Sequence, residues 1–406
     1  MKKVELLAPA GNLEKLKMAI MYGADAVYIG GQRFGLRASA DNFSLEDIRE
    51  GLDFVHEWGC KLYVTVNIIP HNEDLIGLPE YIKQLDELGV DAVIVSDPGI
   101  FDMVRENAPS MEIHISTQAN NTNYASAMFW YRHGAKRIVT ARELSLDEIK
   151  EIKAKTPVDL DLEAFIHGAM CISYSGRCLL SSYMTGRDSN RGACSHPCRW
   201  KYNLVEEKRP GEYYPVYEDE KGTYIFNSKD LCMIEHIPEL IKSGIYSFKI
   251  EGRMKSSFYV ATVVSAYRQA IDAYLTDPEN YSFDPEWLLE LSKASHREYT
   301  TGFYFNKTTG KDQIYSTSSY IREYDFVGIV LEYDKATGIA KIEQRNRMIV
   351  GDEIEIVSPG KGYFVQTIES MKNEDGETIR TAPHAQMIVY MPIKYEVGPY
   401  TILRRK

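Results

Sequence analysis

The chain has 406 residues, 44% of them aliphatic, aromatic or cysteine, which is enough for a large core and makes two domains the expectation. Its formal net charge of −11 speaks against broad nonspecific nucleic-acid binding, which depends on neutralising phosphates, and leaves room only for a local basic patch. No apolar run approaches the roughly 18 residues needed to span a bilayer, and Glu5 interrupts any secretory leader, so a cytoplasmic, reducing location without a membrane partner is expected.

The first 250 residues alternate strand-like and helix-like segments. Short apolar, β-branched runs occur at Val4–Leu7, Ala26–Gly30, Lys61–Asn67, Ala92–Ser96, Glu112–Ser116, Arg137–Thr140, Asp161–Ile166 and Ser247–Ile250. Several are continuously apolar, as expected of parallel strands covered on both faces. Helix starts fall between them: Asn12 before Leu13, Ser44 with Asp47 three residues on, and Ser145 before Leu146. Glycines at 23, 89, 134 and 244 punctuate the helix ends before the next strand. About eight βα units over roughly 260 residues fit an α/β TIM-type (β/α)8 barrel better than an open sheet, and Pro9-Ala10-Gly11 is not a dinucleotide-binding turn.

A long insertion follows at about 168–222, and segments of that length in compact domains usually carry function or are disordered. After His296 the pattern changes to short strands at Phe326–Leu331, Ile339–Glu343, Glu353–Val357 and Met387–Met391. The expected organisation is therefore a barrel domain over 1–319 and a small all-β, barrel-like domain over 320–406.

Five of the six cysteines lie between Cys171 and Cys232: Cys171, Cys178 after six residues, Cys194 after fifteen, Cys198 after three, then Cys232. In a reducing compartment such a group reads as metal-binding or redox-active rather than disulfide-bonded. Four thiolates suit tetrahedral zinc or an iron–sulfur cluster, and the spacing alone leaves both open. Cys60 stands apart and reads as a small core residue. Arg177, Arg187, Arg191, Arg199 and Lys201 share the cysteine segment and form a candidate phosphate-binding patch, with a solvated loop face as the plain alternative.

In a TIM barrel, function sits where strands end at their C-terminal face. The polar residues there are Asn67, Asp97, His114 to Gln118, Arg142, Glu163, His167, Lys249, Glu251 and Arg253. By a period of two, Glu163, Phe165 and His167 share a strand face, and if it points inward an acid and an imidazole look into the barrel mouth. Glu163 could instead pair with Lys249 across the barrel as a satisfied buried charge, His167 could be structural, and Lys249–Arg253 could be a salt-bridged strand end. No nucleophile elbow and no His-Glu-x-x-His appears, so hydrolysis lacks an ordinary motor.

The segment Glu163-x-Phe165-x-His167-Gly168-Ala169-x-Cys171-x-x-Tyr174-Ser175-Gly176-x-Cys178 resembles the signature of the collagenase-like peptidase family of unknown catalytic type, family 32 of the U class. Leu7–Gly11, Gly23–Tyr28, Asn190–Trp200, Asn227–Leu231 and Phe248–Arg253 match other hallmarks, and the resemblance covers nearly the whole chain. It implies one of two activities: proteolysis of collagen, or oxygen-independent hydroxylation with a 4Fe-4S cluster on four cysteines, of tRNA, ribosomal RNA or a quinone. Arg142–Leu146, Cys194–Trp200 and Thr300–Phe303 look most like the tRNA branch. That implies conversion of the wobble uridine to 5-hydroxyuridine with prephenate as oxygen source, tRNA and prephenate as partners, and a paralogue as a further one. The implied ligands are Cys171, Cys178, Cys194 and Cys232, with Cys198 as the alternative fourth and zinc as the alternative metal. Glu163, His167, Lys249, Glu251 and Arg253 are the candidate catalytic residues, and Arg187, Arg191, Arg199 and Lys201 the candidate RNA contacts. A metal-dependent peptidase, with Glu163 or Glu251 as general base, and a zinc-bearing scaffold are the alternative readings.

Overall fold

A computed structural model describes residues 4–35, 42–200, 203–205, 213–215, 228–307 and 320–406. Seven parallel strands come first: β1 (Glu5–Pro9), β2 (Ala26–Gly30), β3 (Lys61–Val66), β4 (Ala92–Val95), β5 (Glu112–Ile115), β6 (Arg137–Val139) and β7 (Asp161–Ala169). β8 (Asp230–Cys232) runs antiparallel to the end of β7, outside the barrel. β9 (Ser247–Ile250) pairs in parallel with both β7 and β1 and closes an eight-stranded barrel. The expected TIM-type barrel is therefore present.

Local sequence explains the helical layer. Asn12 accepts from the Lys15 amide ahead of α1 (Leu13–Met21), and Ser44 with Asp47 forms a full capping box on α2 (Leu45–Glu57). Gly89 and Gly134 end the third and fifth helices in the left-handed region, at φ 82° and 105°, where a side chain would be strained. Ser145 and Glu148 cap the sixth helix, Leu146–Ala154, in the same reciprocal way. The largest core lies between strands and helices and includes eleven of the thirteen buried residues of the helix Ser257–Thr276.

The inward face of the barrel is divided. Leu7, Ala26, Tyr28, Tyr63, Ala92 and Ile94 form a small apolar cluster, and Glu5, His114, Arg137, Glu163 and Lys249 are buried and charged or polar. No helix among the described residues is long and apolar enough to cross a membrane.

The C-terminal domain is an antiparallel sheet with its own core. Its long first strand, Asp325–Asp334, pairs with Ile339–Gln344 on one side and Ile402–Arg405 on the other. It is fastened to the barrel by buried charge: Arg404, 1% exposed, donates to Glu290 at 2.8 and 2.9 Å and to Glu355 at 2.7 Å. Lys293 joins the same two carboxylates, and the Tyr22 hydroxyl donates to the carbonyls of Val357 and Tyr400. This docking brings Arg322 and Tyr324 over the barrel mouth.

Candidate active site at the barrel mouth

Inside the barrel, the buried carboxylates are fully committed. The two Glu163 oxygens accept from Lys249 at 2.6 Å and Arg137 at 3.0 Å. Arg137 also donates to both oxygens of Glu5, at 2.6 and 3.2 Å, and Glu5 accepts from Tyr63 and Ser247 at 2.7 Å each. Burial would raise the Glu163 carboxyl, but the charges of Lys249 and Arg137 outweigh it and hold it near 2. The pairing of Glu163 with Lys249 as a satisfied buried charge is thus what the structure contains. Neither residue lines the cavity at the mouth.

His167 does not share the inward face with Glu163. Lys249 pairs with Phe165, but the next residue, Ile250, pairs with His167, so Ile166 is an extra residue in β7. This bulge turns His167 to the opposite face from the one that strict alternation assigns. There it packs against Tyr259, Tyr267 and Tyr299, with Nδ1 3.4 Å from the Tyr267 hydroxyl. Burial, reinforced by the charges of Lys255 and His296, lowers it to about 3, so the imidazole is neutral.

The mouth itself holds a cavity of about 700 Å³. Cys171, Cys178, Cys194 and Cys198 line it, together with Arg142 and Glu251 from the barrel and Arg322 and Tyr324 from the C-terminal domain. Two glycines bring the cysteine segment here. Gly168 has φ 106°, and a Cβ on it would stand 2.5 Å from the Glu251 carbonyl oxygen. Gly176 has φ 73°, and its Cβ would stand 2.1 Å from Gln118 Oε1. A hydroxyl chain then folds the insertion back on itself: Ser195 Oγ lies 2.9 Å from both Ser181 Oγ and Thr185 Oγ1. Ser189 donates to the Cys178 carbonyl at 2.7 Å. Cys178 and Cys194 are each met by a backbone N–H, from Leu180 and His196, at 3.4 Å.

The donor chemistry of this wall fits a thiolate-bound metal or cluster. Among the described residues, however, no three His, Cys, Asp or Glu side chains are gathered closely enough to hold a single ion. Cys232 is not part of the cavity lining; it is buried in β8, its thiol is pushed up to about 12 by burial, and the Tyr267 hydroxyl lies 3.9 Å from its sulfur. Cys60 is partly buried, packs against the main core and donates to the Ala24 carbonyl, as expected of a core residue.

The remaining expected site residues separate. Glu251 lines the cavity, with Arg142 Nη2 3.8 Å from its carboxylate. Arg253 is 4% exposed and donates to Asn42 at 2.8 Å and Thr65 at 3.3 Å, filling the space above Gly30. Arg191 is ion-paired to Asp74 at 2.5 Å and Glu73 at 3.0 Å beside a second, smaller cleft. Arg187 is exposed at the end of the short helix Leu180–Thr185. The Arg199 side chain and Lys201 lie outside the described residues. Sequence reasoning missed Lys255, Arg322 and Tyr324 as lining residues. Lys255 follows Arg253 closely enough to have been noticed, whereas the other two reach the site only through domain docking.

The model of the family described as Peptidase family U32 matches residues 11–314, and that of its C-terminal domain matches 322–404. The chain belongs to peptidase family U32. Within this U32 family it is 48% identical to "tRNA hydroxylation protein P1" of Bacillus subtilis (strain 168), over 100% of this chain and 95% of that one. It is 39% identical to "tRNA hydroxylation protein P" of Escherichia coli (strain K12), over 100% and 97%. It is also 33% identical to a "Collagenase" of Porphyromonas gingivalis, over 99% and 97%. The U32 relatives thus carry names from both activities.

Proposed function

We propose that this U32 protein hydroxylates tRNA, converting the wobble uridine to 5-hydroxyuridine without molecular oxygen and with prephenate as the oxygen source. The observation that carries the reading is the end-to-end similarity to proteins named for tRNA hydroxylation, coupled with four thiols on the wall of the mouth cavity. Cys171, Cys178 and Cys194 would hold a 4Fe-4S cluster, with Cys198 or Cys232 as the fourth ligand. Such a cluster supplies one-electron chemistry to the site. Cys198 has the advantage of lining the same cavity, whereas Cys232 requires its buried thiol to ionise, which a bound cation promotes. Hydroxylation of a ring carbon requires the base to leave its stack and enter the cavity. A tRNA substrate implies a cytoplasmic protein.

The peptidase reading has a relative's name behind it but little chemistry. Glu163 is occupied by Lys249 and Arg137, and a site closed by four thiolates leaves no position for an attacking water. Nucleoside mass spectrometry of tRNA from a deletion strain lacking paralogues tests the proposal. Loss of 5-hydroxyuridine derivatives, restored by the wild-type gene, is expected; an unchanged level overturns it.

A further inference from the structure

Arg142 follows β6 and lines the mouth cavity with its side chain only 10% exposed. Two contacts fix its guanidinium. Nη1 donates to the Ala169 carbonyl at 2.8 Å, and the group stands 4.0 Å from the centre of the Phe165 ring. The other edge is open. Nε is buried and has no hydrogen-bond partner among the described residues. Nη2 is 3.8 Å from Glu251 Oε2, outside hydrogen-bond reach. A buried cationic donor left without an acceptor is costly, so its retention beside a cavity points to a ligand. Nε and Nη2 form one edge of the guanidinium, spaced to meet two oxygens of one anion in parallel.

We propose that the Nε and Nη2 edge of Arg142 is the seat of a carboxylate of the small co-substrate. This deepens the proposed function and rests on its claim that prephenate, an organic acid, is the oxygen source. A tRNA phosphodiester offers a similar pair of oxygens. Burial favours the carboxylate: the Arg142 side chain is 10% exposed, held against Ala169 and Phe165, and lines a cavity of small-molecule size, whereas a polynucleotide backbone is gripped at the rim. Glu251 is the counter-charge of Arg142 in this structure, and an incoming anion must displace its influence. Arg142 is thus a binding and positioning residue, and Glu251 tunes its affinity.

The anaerobically purified full chain is titrated with prephenate and, separately, with an anticodon stem-loop RNA. Arg142→Gln should weaken prephenate binding at least tenfold, Arg142→Lys should recover part of the loss, and Glu251→Gln should tighten binding. RNA affinity should stay within about twofold throughout, since phosphate contacts elsewhere supply it. Wild-type prephenate affinity in Arg142→Gln overturns the assignment while leaving the proposed function standing. Loss of RNA binding with prephenate binding intact overturns it in favour of a phosphate site. Absence of prephenate binding in the wild-type protein removes both this assignment and the co-substrate on which it rests.

Discussion

Two groups of buried charge occupy the same barrel and are built on opposite terms. In the interior, Glu5, Arg137, Glu163 and Lys249 use one another's atoms, and every carboxylate oxygen there accepts at least one hydrogen bond. At the mouth, Arg142 Nε and Gln118 Oε1 are buried without a hydrogen-bond partner among the described residues, and four thiols line the wall. The first arrangement can stabilise a fold and leaves none of its carboxylate oxygens unbonded, although Arg137 Nε and the His114 ring nitrogens have no hydrogen-bond partner among the described residues. The second has donors, acceptors and nucleophilic sulfur facing space. The motif residues Glu163 and Lys249 belong to the interior group, and the proposed chemistry belongs one layer further out.

The comparison breaks most directly at Arg137. Arg137→Leu leaves two carboxylates buried without their shared cation and should cost on the order of 3–5 kcal/mol in urea unfolding. A loss below about 1 kcal/mol would mean that the interior network is not structural.

Acid should expose the same difference. His167 is ordinarily half-protonated at 6.5 but in the fold only at about 3, so below 6.5 the unfolded chain binds a proton that the native one refuses. Stability is therefore complete above about pH 6.5 and falls towards pH 3; Glu163, depressed from 4.5 to about 2, adds a further loss over that lower window. His167→Phe should flatten the decline between pH 6.5 and 3, measured by urea titrations at each pH. An unaltered slope would show that the tyrosine-lined pocket does not keep this imidazole neutral.

At the mouth, Gly176→Ala combines a positive φ with a contact at 2.1 Å, so it should cost about 1–3 kcal/mol and displace Gln118. Its effect on prephenate affinity should exceed its effect on the unfolding midpoint, the reverse of Arg137→Leu. Ser145→Ala removes one side of a capping box on the outer layer and should cost about 1 kcal/mol with prephenate affinity unchanged. A change in ligand affinity there would show that the two regions are not separable.

Much of this was legible in the chain. The eight barrel strands follow from short apolar runs separated by capped helices, because burial on both faces and the need to satisfy helix ends leave strong local signals. The Glu163–Lys249 pair was among the readings, since both fall near strand ends of one barrel. The orientation of His167 was not legible: a single extra residue, Ile166, reverses the face, and no composition rule marks it. The outer wall of the cavity was hidden for another reason. Arg322 and Tyr324 reach it through the Arg404–Glu290 and Lys293–Glu355 bonds, which join parts of the chain far apart in sequence. Cys198 and Cys232 differ in depth, one lining the cavity and the other buried, which the intervals between cysteines do not reveal.

The most direct measurement is the visible spectrum and metal content of the anaerobically purified protein, taken together with Cys171→Ser, Cys198→Ser and Cys232→Ser. The account predicts a brown protein with about four irons per chain, colour lost in Cys171→Ser, and colour lost in only one of the other two variants, which names the fourth ligand. A colourless wild-type protein holding zinc would contradict the account.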